Sequence, residues 1–109
     1  MFDYDRHLEK CINGMADCLI NVFLWTGNLD MKLKAEWDAA VLLQKPTILV
    51  VAGKDVVVPD FIRDHPIVRR TVAVHRSLTA ADRERLTKAI SDECGVVKDV
   101  HISEEAHVT

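Results

Sequence analysis

Short apolar runs alternate with segments of helical periodicity along this chain, and that alternation limits the fold more than any other feature of the sequence. Three runs are rich in β-branched and aromatic residues and have the length of single strands: residues 18–25, 47–52 and 69–74. Apolar side chains recur at helical spacing around them, over residues 4–15, 29–43 and 80–92, with a short helix at 59–63. Strands separated by helices pair in parallel through right-handed crossovers. The near-continuous apolar character of the first two runs predicts strands that are covered on both faces.

The C-terminal third of the sequence predicts one more helix and its limits. The stretch from Thr79 to Asp82 resembles a capping box, with Asp in place of the usual Glu, and predicts the start of the last helix. Gly95 predicts the end of that helix, residues 97–102 are a candidate fourth strand, and residues 103–109 are expected to fray. The sequence therefore predicts one α/β domain over residues 1–109, a small three-layer, flavodoxin-like domain with a parallel sheet of three to four strands.

The charge composition excludes two classes of partner. The chain has 14 Lys and Arg against 17 Asp and Glu, a formal net charge of −3, and its longest basic run is the pair Arg69 and Arg70. Nucleic-acid binding requires a concentrated basic face, so we expect neither a nucleic acid nor a membrane surface as partner. Asp3 and Asp5 stand where a secretion signal would need an apolar run, and the expected location is therefore cytoplasmic.

The cysteines and histidines lack the spacing of a metal site. Cys11, Cys18 and Cys94 are an odd number, and none of the five histidines pairs with another ligand at helical or hairpin spacing. We expect free thiols in a reducing compartment, no bound metal and no other cofactor.

The loop after the first strand and the helix that follows it hold the residues best suited to chemistry. Ligands of open parallel sheets collect at the carboxyl ends of the strands. The helical period places Glu36 at the margin of the apolar stripe, and a partly desolvated carboxylate beside a crevice suits nucleophilic or general-base chemistry on a sugar. The alternative is a structural Glu36 that reaches water or pairs with Lys32, four residues earlier.

A wider pattern around Glu36 resembles a known enzyme family. The pattern consists of Ala16-Asp17, Asn21, Gly27, Asp30, Glu36, Ala40 and Lys45-Pro46. It resembles the core of the nucleoside 2-deoxyribosyltransferase family and, more distantly, the second half of TIR-type domains. The resemblance implies N-glycosidic bond chemistry, in which Glu36 would attack the sugar C1′ and Asp30 would hold the nucleoside. In TIR-type enzymes a comparable helix glutamate serves cleavage of the nicotinamide–ribose bond.

The chain departs from the family pattern in the same region. Lys32 and Asp38 stand where the family usually has glycine, and Gln44 stands where glycine commonly precedes Lys-Pro. The family's opening strand has no counterpart, so the resemblance is to a short form that lacks the first strand. Either another subunit supplies the missing wall of the site, or the site is vestigial.

Residues at the ends of the other strands are further candidates for ligand contacts. His75 and Arg76 follow the third strand and could contact a phosphate or a sugar, and exposed loop residues are the alternative. Gly53 and Lys54 follow the second strand, where backbone N–H groups could meet a phosphate, and a simple turn is the alternative. Trp25 could stack on a base or pack over the core.

Two functions from different classes therefore remain open. The first is an enzyme of nucleoside or nucleotide N-glycosidic chemistry, with Glu36 and Asp30 as catalytic residues; its expected substrate contacts are Trp25, Gly27, Asn28 and His75. The second is a non-catalytic module that binds a nucleotide or a protein on the same scaffold. An open crevice shared by Asp30 and Glu36 would favour the enzyme, whereas a crevice filled by Trp25 or Lys32 would favour the module. The two free edges of so small a sheet predict a homodimer.

Overall fold

Three parallel strands form the sheet in the order β1-β2-β3 in the computed structural model, which describes residues 2–108 and the side chains of residues 2–98. The strands are β1 (Asn21–Trp25), β2 (Thr47–Ala52) and β3 (Val68–Val74). The helices are α1 (Tyr4–Ala16), α2 (Met31–Leu42), α3 (Asp60–Arg63) and α4 (Ala80–Val108). β2 pairs in parallel with both of its neighbours, with Asn21 opposite Thr47 and Ala52 opposite Val74. The predicted α/β fold with a parallel sheet is confirmed.

Helices lie on both faces of the sheet, which gives the three layers of a small flavodoxin-like domain. Two successive right-handed crossovers in one direction put α2 and α3 on the same face, and α1 packs against α2. The core on that face contains Phe23, Trp25, Trp37, Leu49 and Ile62. On the other face α4 contributes Ala89 to a second core with residues of β2 and β3: Ile48, Val50, Val72 and Val74. All six residues of β2 are buried, as the sequence predicted.

β1 is covered on one face only, and the prediction that both of its faces are covered is wrong. Phe23 and Trp25 are buried under α2, whereas Val22 and Leu24 point to the opposite face and are exposed. On that face α4 packs against β3, two strands away from β1, and Val22 and Leu24 stay largely uncovered in the described chain.

β1 and α2 both begin later than the sequence predicted. β1 begins at Asn21 because its partner β2 begins only at Thr47. The first hydrogen bond between the two strands runs from the N–H of Asn21 to the carbonyl of Pro46, at 2.8 Å. Residue 18 lies outside the strand, and its carbonyl accepts a hydrogen bond from Lys45 Nζ at 2.6 Å. α2 starts at Met31 because the carboxylate of Asp30 accepts from the N–H of Leu33 at 2.8 Å and caps the helix.

The last helix is longer than predicted. Its capping box is confirmed: the N–H of Thr79 donates to Asp82 Oδ2 at 3.0 Å, and the N–H of Asp82 donates to Thr79 Oγ1 at 3.2 Å. α4 then continues through Gly95 to Val108, so the predicted stop at Gly95 and the fourth strand at 97–102 are wrong. The expected fraying of residues 103–109 stays a prediction, and Thr109 lies outside the described residues. A glycine ends a helix when it adopts a left-handed conformation, and Gly95 does not. Over residues 2–108, none of the helices combines the length and apolar character needed to cross a membrane.

Candidate functional site

An apolar groove crosses the face of the sheet that α4 leaves open. We call it the sheet groove, and its volume is about 580 Å³. Its floor consists of Val22, Leu24, Val50, Ala52 and Val74, one or two residues from each strand. Leu78 and Leu86 form a wall on the α4 side, and Thr26, His75 and Arg76 stand at the carboxyl ends of the strands. Volumes of roughly 300–1,000 Å³ with apolar linings and a few polar groups are typical of sites for small organic ligands.

A positively charged rim borders the polar end of the sheet groove. We define this cationic rim as Lys54 and Arg76, which together with His75 line a second hollow that shares Val74, His75 and Arg76 with the groove. Among the described side chains, neither Lys54 nor Arg76 has a carboxylate within ion-pairing distance. The rim is therefore a local source of uncompensated positive charge on a chain whose net charge is −3.

Gly53 lets the rim form. Its φ is +123°, a left-handed conformation that a side chain rarely adopts, and a Cβ added there would lie 3.1 Å from Arg76 Nε and 2.8 Å from Val56 Cγ2. The Arg76 guanidinium therefore lies close over the backbone of the loop that follows β2. The N–H of Gly53 donates to the carbonyl of Val74 at 3.1 Å, so it is not free to meet a phosphate as the sequence suggested, and Arg76 is the phosphate-binding candidate beside this loop.

A buried carboxylate fixes the turn that carries His75. Asp82 is fully buried and accepts hydrogen bonds from the backbone N–H of His75 at 2.9 Å and from the N–H of Thr79. Its Oδ2 also lies 3.0 Å from Nδ1 of the His75 ring, and Arg85 forms an ion pair with its Oδ1. The His75 N–H, followed by the His75 ring and the other donors, holds the pKa of the Asp82 carboxyl well below its usual value of 3.8. The His75 side chain remains 72% exposed and available to a ligand.

Asp30 and Glu36 share a smaller hollow beside the end of β1. This helix hollow has a volume of about 310 Å³ and is lined by Leu24, Thr26, Asn28, Asp30, Lys32, Leu33 and Glu36. The structure thus brings together three of the predicted site residues, Asn28, Asp30 and Glu36. Lys32 lines the hollow and does not fill it, so the hollow is the open crevice shared by Asp30 and Glu36 that was expected of an enzyme. Asp30 already serves as the cap of α2.

Glu36 is exposed, and its predicted position at the margin of the buried face is wrong. Asp38 is instead the half-buried carboxylate of α2: it accepts from the Tyr4 hydroxyl and pairs with Lys34 at 2.8 Å. Asp38 is half-buried because α1 packs against its side of α2, a side that the apolar stripe alone does not predict as covered. The described ion pairs include none between Glu36 and Lys32. Burial, and then the neighbouring Glu36 carboxylate, raises the pKa of the Cys11 thiol.

Trp25 and Gly27 have structural positions. The indole of Trp25 is 3% exposed, and its N–H donates to the carbonyl of Val57 at 2.9 Å, so it packs in the core and ties down the loop after β2. Gly27 has a φ of +106°, and a Cβ there would meet Val56 at 3.7 Å. The side chain of Val56 therefore lies between the two left-handed glycines of neighbouring loops.

The sequence analysis missed the sheet groove. It predicted the carboxyl edge of the sheet as the ligand side and named His75 and Arg76, but Val22 and Leu24 read as buried strand residues. Alternation of exposure in β1 was the missing signal, and the four consecutive apolar residues from Val22 to Trp25 hide it.

The comparisons with known proteins add no assignment to this site. No protein-family model, no curated protein and no solved structure matches the chain.

Proposed function

We propose that this chain is a non-catalytic module that binds a nucleotide at the sheet groove. The observation that carries the proposal is the contiguity of an apolar groove with a cationic rim at the carboxyl edge of the sheet. A nucleotide has a flat, largely apolar base and an anionic phosphate, which match these two parts of the site. Ligands of parallel α/β sheets bind at this edge.

Arg76 and Lys54 supply the contacts for the phosphate. A guanidinium can form two parallel hydrogen bonds to phosphate oxygens, and a lysine ammonium adds a point charge. Both charges are uncompensated in the described chain, so the phosphate displaces no existing ion pair. Leu24 and Thr26 line both the sheet groove and the helix hollow. Asn28, Asp30 and Glu36 of the hollow are therefore the side chains that would accept hydrogen bonds from the hydroxyl groups of the sugar.

The test is the affinity for AMP, measured by calorimetry and by thermal shift on the wild type and on Arg76→Gln. AMP at 100 times its dissociation constant should stabilise the fold by about 2.7 kcal/mol. Loss of a charged hydrogen bond costs about 1.5–3 kcal/mol, so Arg76→Gln should weaken AMP binding by about tenfold or more.

Arg83→Gln is the matched control, because Arg83 is an exposed residue of α4 outside the groove. It removes the same charge and should leave the affinity for AMP within about twofold. Adenosine should bind the wild type about as weakly as AMP binds Arg76→Gln. Equal losses in the two variants, or no binding of AMP to the wild type, would contradict the proposal.

The second candidate is the N-glycosidic enzyme, and the observation in its favour is that Asp30, Glu36 and Asn28 line one hollow. It predicts release of free base from deoxynucleosides, nucleotides or NAD by the wild type, and loss of that release in Glu36→Gln. Glu84→Gln, an exposed carboxylate on α4, is the control. No release by the wild type leaves the binding module, and release that persists in Glu36→Gln rules out Glu36 as nucleophile.

A further inference from the structure

The outer edge of β1 carries backbone groups with no partner in the described chain. In a parallel ladder, alternate residues direct both their N–H and their C=O to the same neighbour. The N–H of Asn21 donates to Pro46, so Asn21, Phe23 and Trp25 bond to β2. Val22 and Leu24 direct their N–H and C=O groups outward, away from β2.

The opposite edge of the sheet is protected. On β3 the outward carbonyl of Ala73 accepts a hydrogen bond from the Arg85 guanidinium at 2.9 Å. Arg69 is exposed on the same strand, and Arg70 lies within 3.4–3.6 Å of carboxylates of α4. Charges and covering side chains of this kind prevent strand pairing at an edge.

β1 has none of these protections. Its five residues include no charge, no proline and no glycine, and Val22 and Leu24 are 42% and 49% exposed. Exposed apolar side chains beside unpaired backbone groups are what a second strand would cover. The same two side chains form the outer part of the sheet-groove floor, so the groove has no wall on its β1 side.

We propose that β1 pairs with β1 of a second copy of this chain, antiparallel about a two-fold axis at Phe23. This register overlaps the whole five-residue strand and places Val22 opposite Leu24 of the second copy. The outward groups of these residues then form four N–H···O bonds in two closely spaced pairs. The interface is isologous and closes at two copies.

The pairing completes the ligand site that each copy leaves open. It joins two three-stranded sheets into one sheet of six strands and brings the floors of both sheet grooves together. Leu24 of one copy then lies at the open side of the other copy's groove. The interface itself requires no ligand, so it stands or falls independently of nucleotide binding.

The first experiment measures the mass of the full chain by sedimentation and light scattering. The wild type should be a dimer at about 100 μM, and Val22→Pro should weaken the dimer at least about tenfold. The proline removes only an outward N–H and therefore no hydrogen bond of the β1–β2 ladder. Thr71→Pro is the matched control, since it removes an outward N–H at the protected β3 edge and should leave the dimer intact.

Opposite charges introduced at positions 22 and 24 test the register of the pairing. The same variants also test the interface if Val22→Pro fails to fold. Val22→Lys alone and Leu24→Glu alone each put a charge against an apolar partner and should dissociate the dimer. The double variant pairs opposite charges across the axis twice and should restore it. A monomeric wild type, or a dimer unaffected by Val22→Pro and Val22→Lys, overturns the interface. A double variant no more dimeric than the single variants overturns the register.

Discussion

Gln44 has a left-handed backbone conformation, with a φ of 49°, just after the end of α2. The N–H of Lys45 donates to the carbonyl of Ala40 and the N–H of Gln44 donates to the carbonyl of Val41, which together form a Schellman motif. This motif favours glycine at the left-handed position. The sequence carries glutamine there, at the position where the resembling family commonly has glycine before Lys-Pro. An L-residue therefore stands at a position whose backbone conformation glycine adopts more easily.

Gln44→Gly should stabilise the protein by about 0.5–1 kcal/mol. A left-handed conformation costs an L-residue about 1–2 kcal/mol, and the added freedom of glycine in the unfolded chain offsets part of that gain. The Gln44 side chain is exposed, so little packing is lost. Urea unfolding measures the change, with Gln44→Ala as the control that keeps the Cβ and should gain nothing. A destabilised Gln44→Gly would contradict the strain at this position.

At the scale of elements, the start of α4 was predicted because it depends on local chemistry: Thr79 and Asp82 cap the helix through contacts within three residues, so the local sequence is enough to locate it. Asp30 caps α2 in the same local way, but it was predicted to hold a substrate and its cap was missed. The burial of β1 and the length of α4 depend on which other elements lie nearby. No local pattern states that α4 covers β3 and leaves β1 open, and for that reason both predictions failed.

The cap of α4 should make stability depend on pH. The pKa of Asp82 is lower in the folded protein than its usual value of 3.8. Its contribution is therefore complete above that value and is lost as the pH falls from about 3.8 towards the folded-state pKa. Asp82→Asn should lower Tm at pH 7 and should flatten the decline of Tm below pH 4, because the variant has no carboxyl to protonate.

Thermal unfolding between pH 7 and pH 2.5 measures both effects. Glu9→Gln, an exposed carboxylate on α1, should leave the curve of the wild type nearly unchanged. An Asp82→Asn curve of Tm against pH that runs parallel to that of the wild type would show that ionisation of Asp82 does not stabilise the folded protein.

For the whole molecule, the alternation of helices and strands was enough to predict a parallel sheet and the edge at which ligands would bind. It was not enough to predict the residues of the site. Glu36 was expected at the margin of the buried face and is exposed, whereas Asp38 on the same helix is half-buried against Tyr4 of α1. The sheet groove exists because β1 lacks a covering helix, a property of the arrangement of all seven elements rather than of any one segment.

If β1 pairing completes the sheet groove, nucleotide binding and dimerisation are linked in this molecule. Linkage is reciprocal: for each of the dimer's two AMP sites, saturating AMP should tighten the dimer by the same factor by which dimerisation tightens AMP binding, typically about 5–150-fold, so the dimer dissociation constant falls by the square of that factor. Sedimentation with and without AMP gives the square of the first factor. Titration of AMP at protein concentrations below and above the dimer dissociation constant gives the second, without any substitution in the groove. Thr71→Pro should reproduce both wild-type values. Two factors equal to one would show that the groove is complete in the monomer, and two unequal factors would show that binding and assembly involve a further equilibrium.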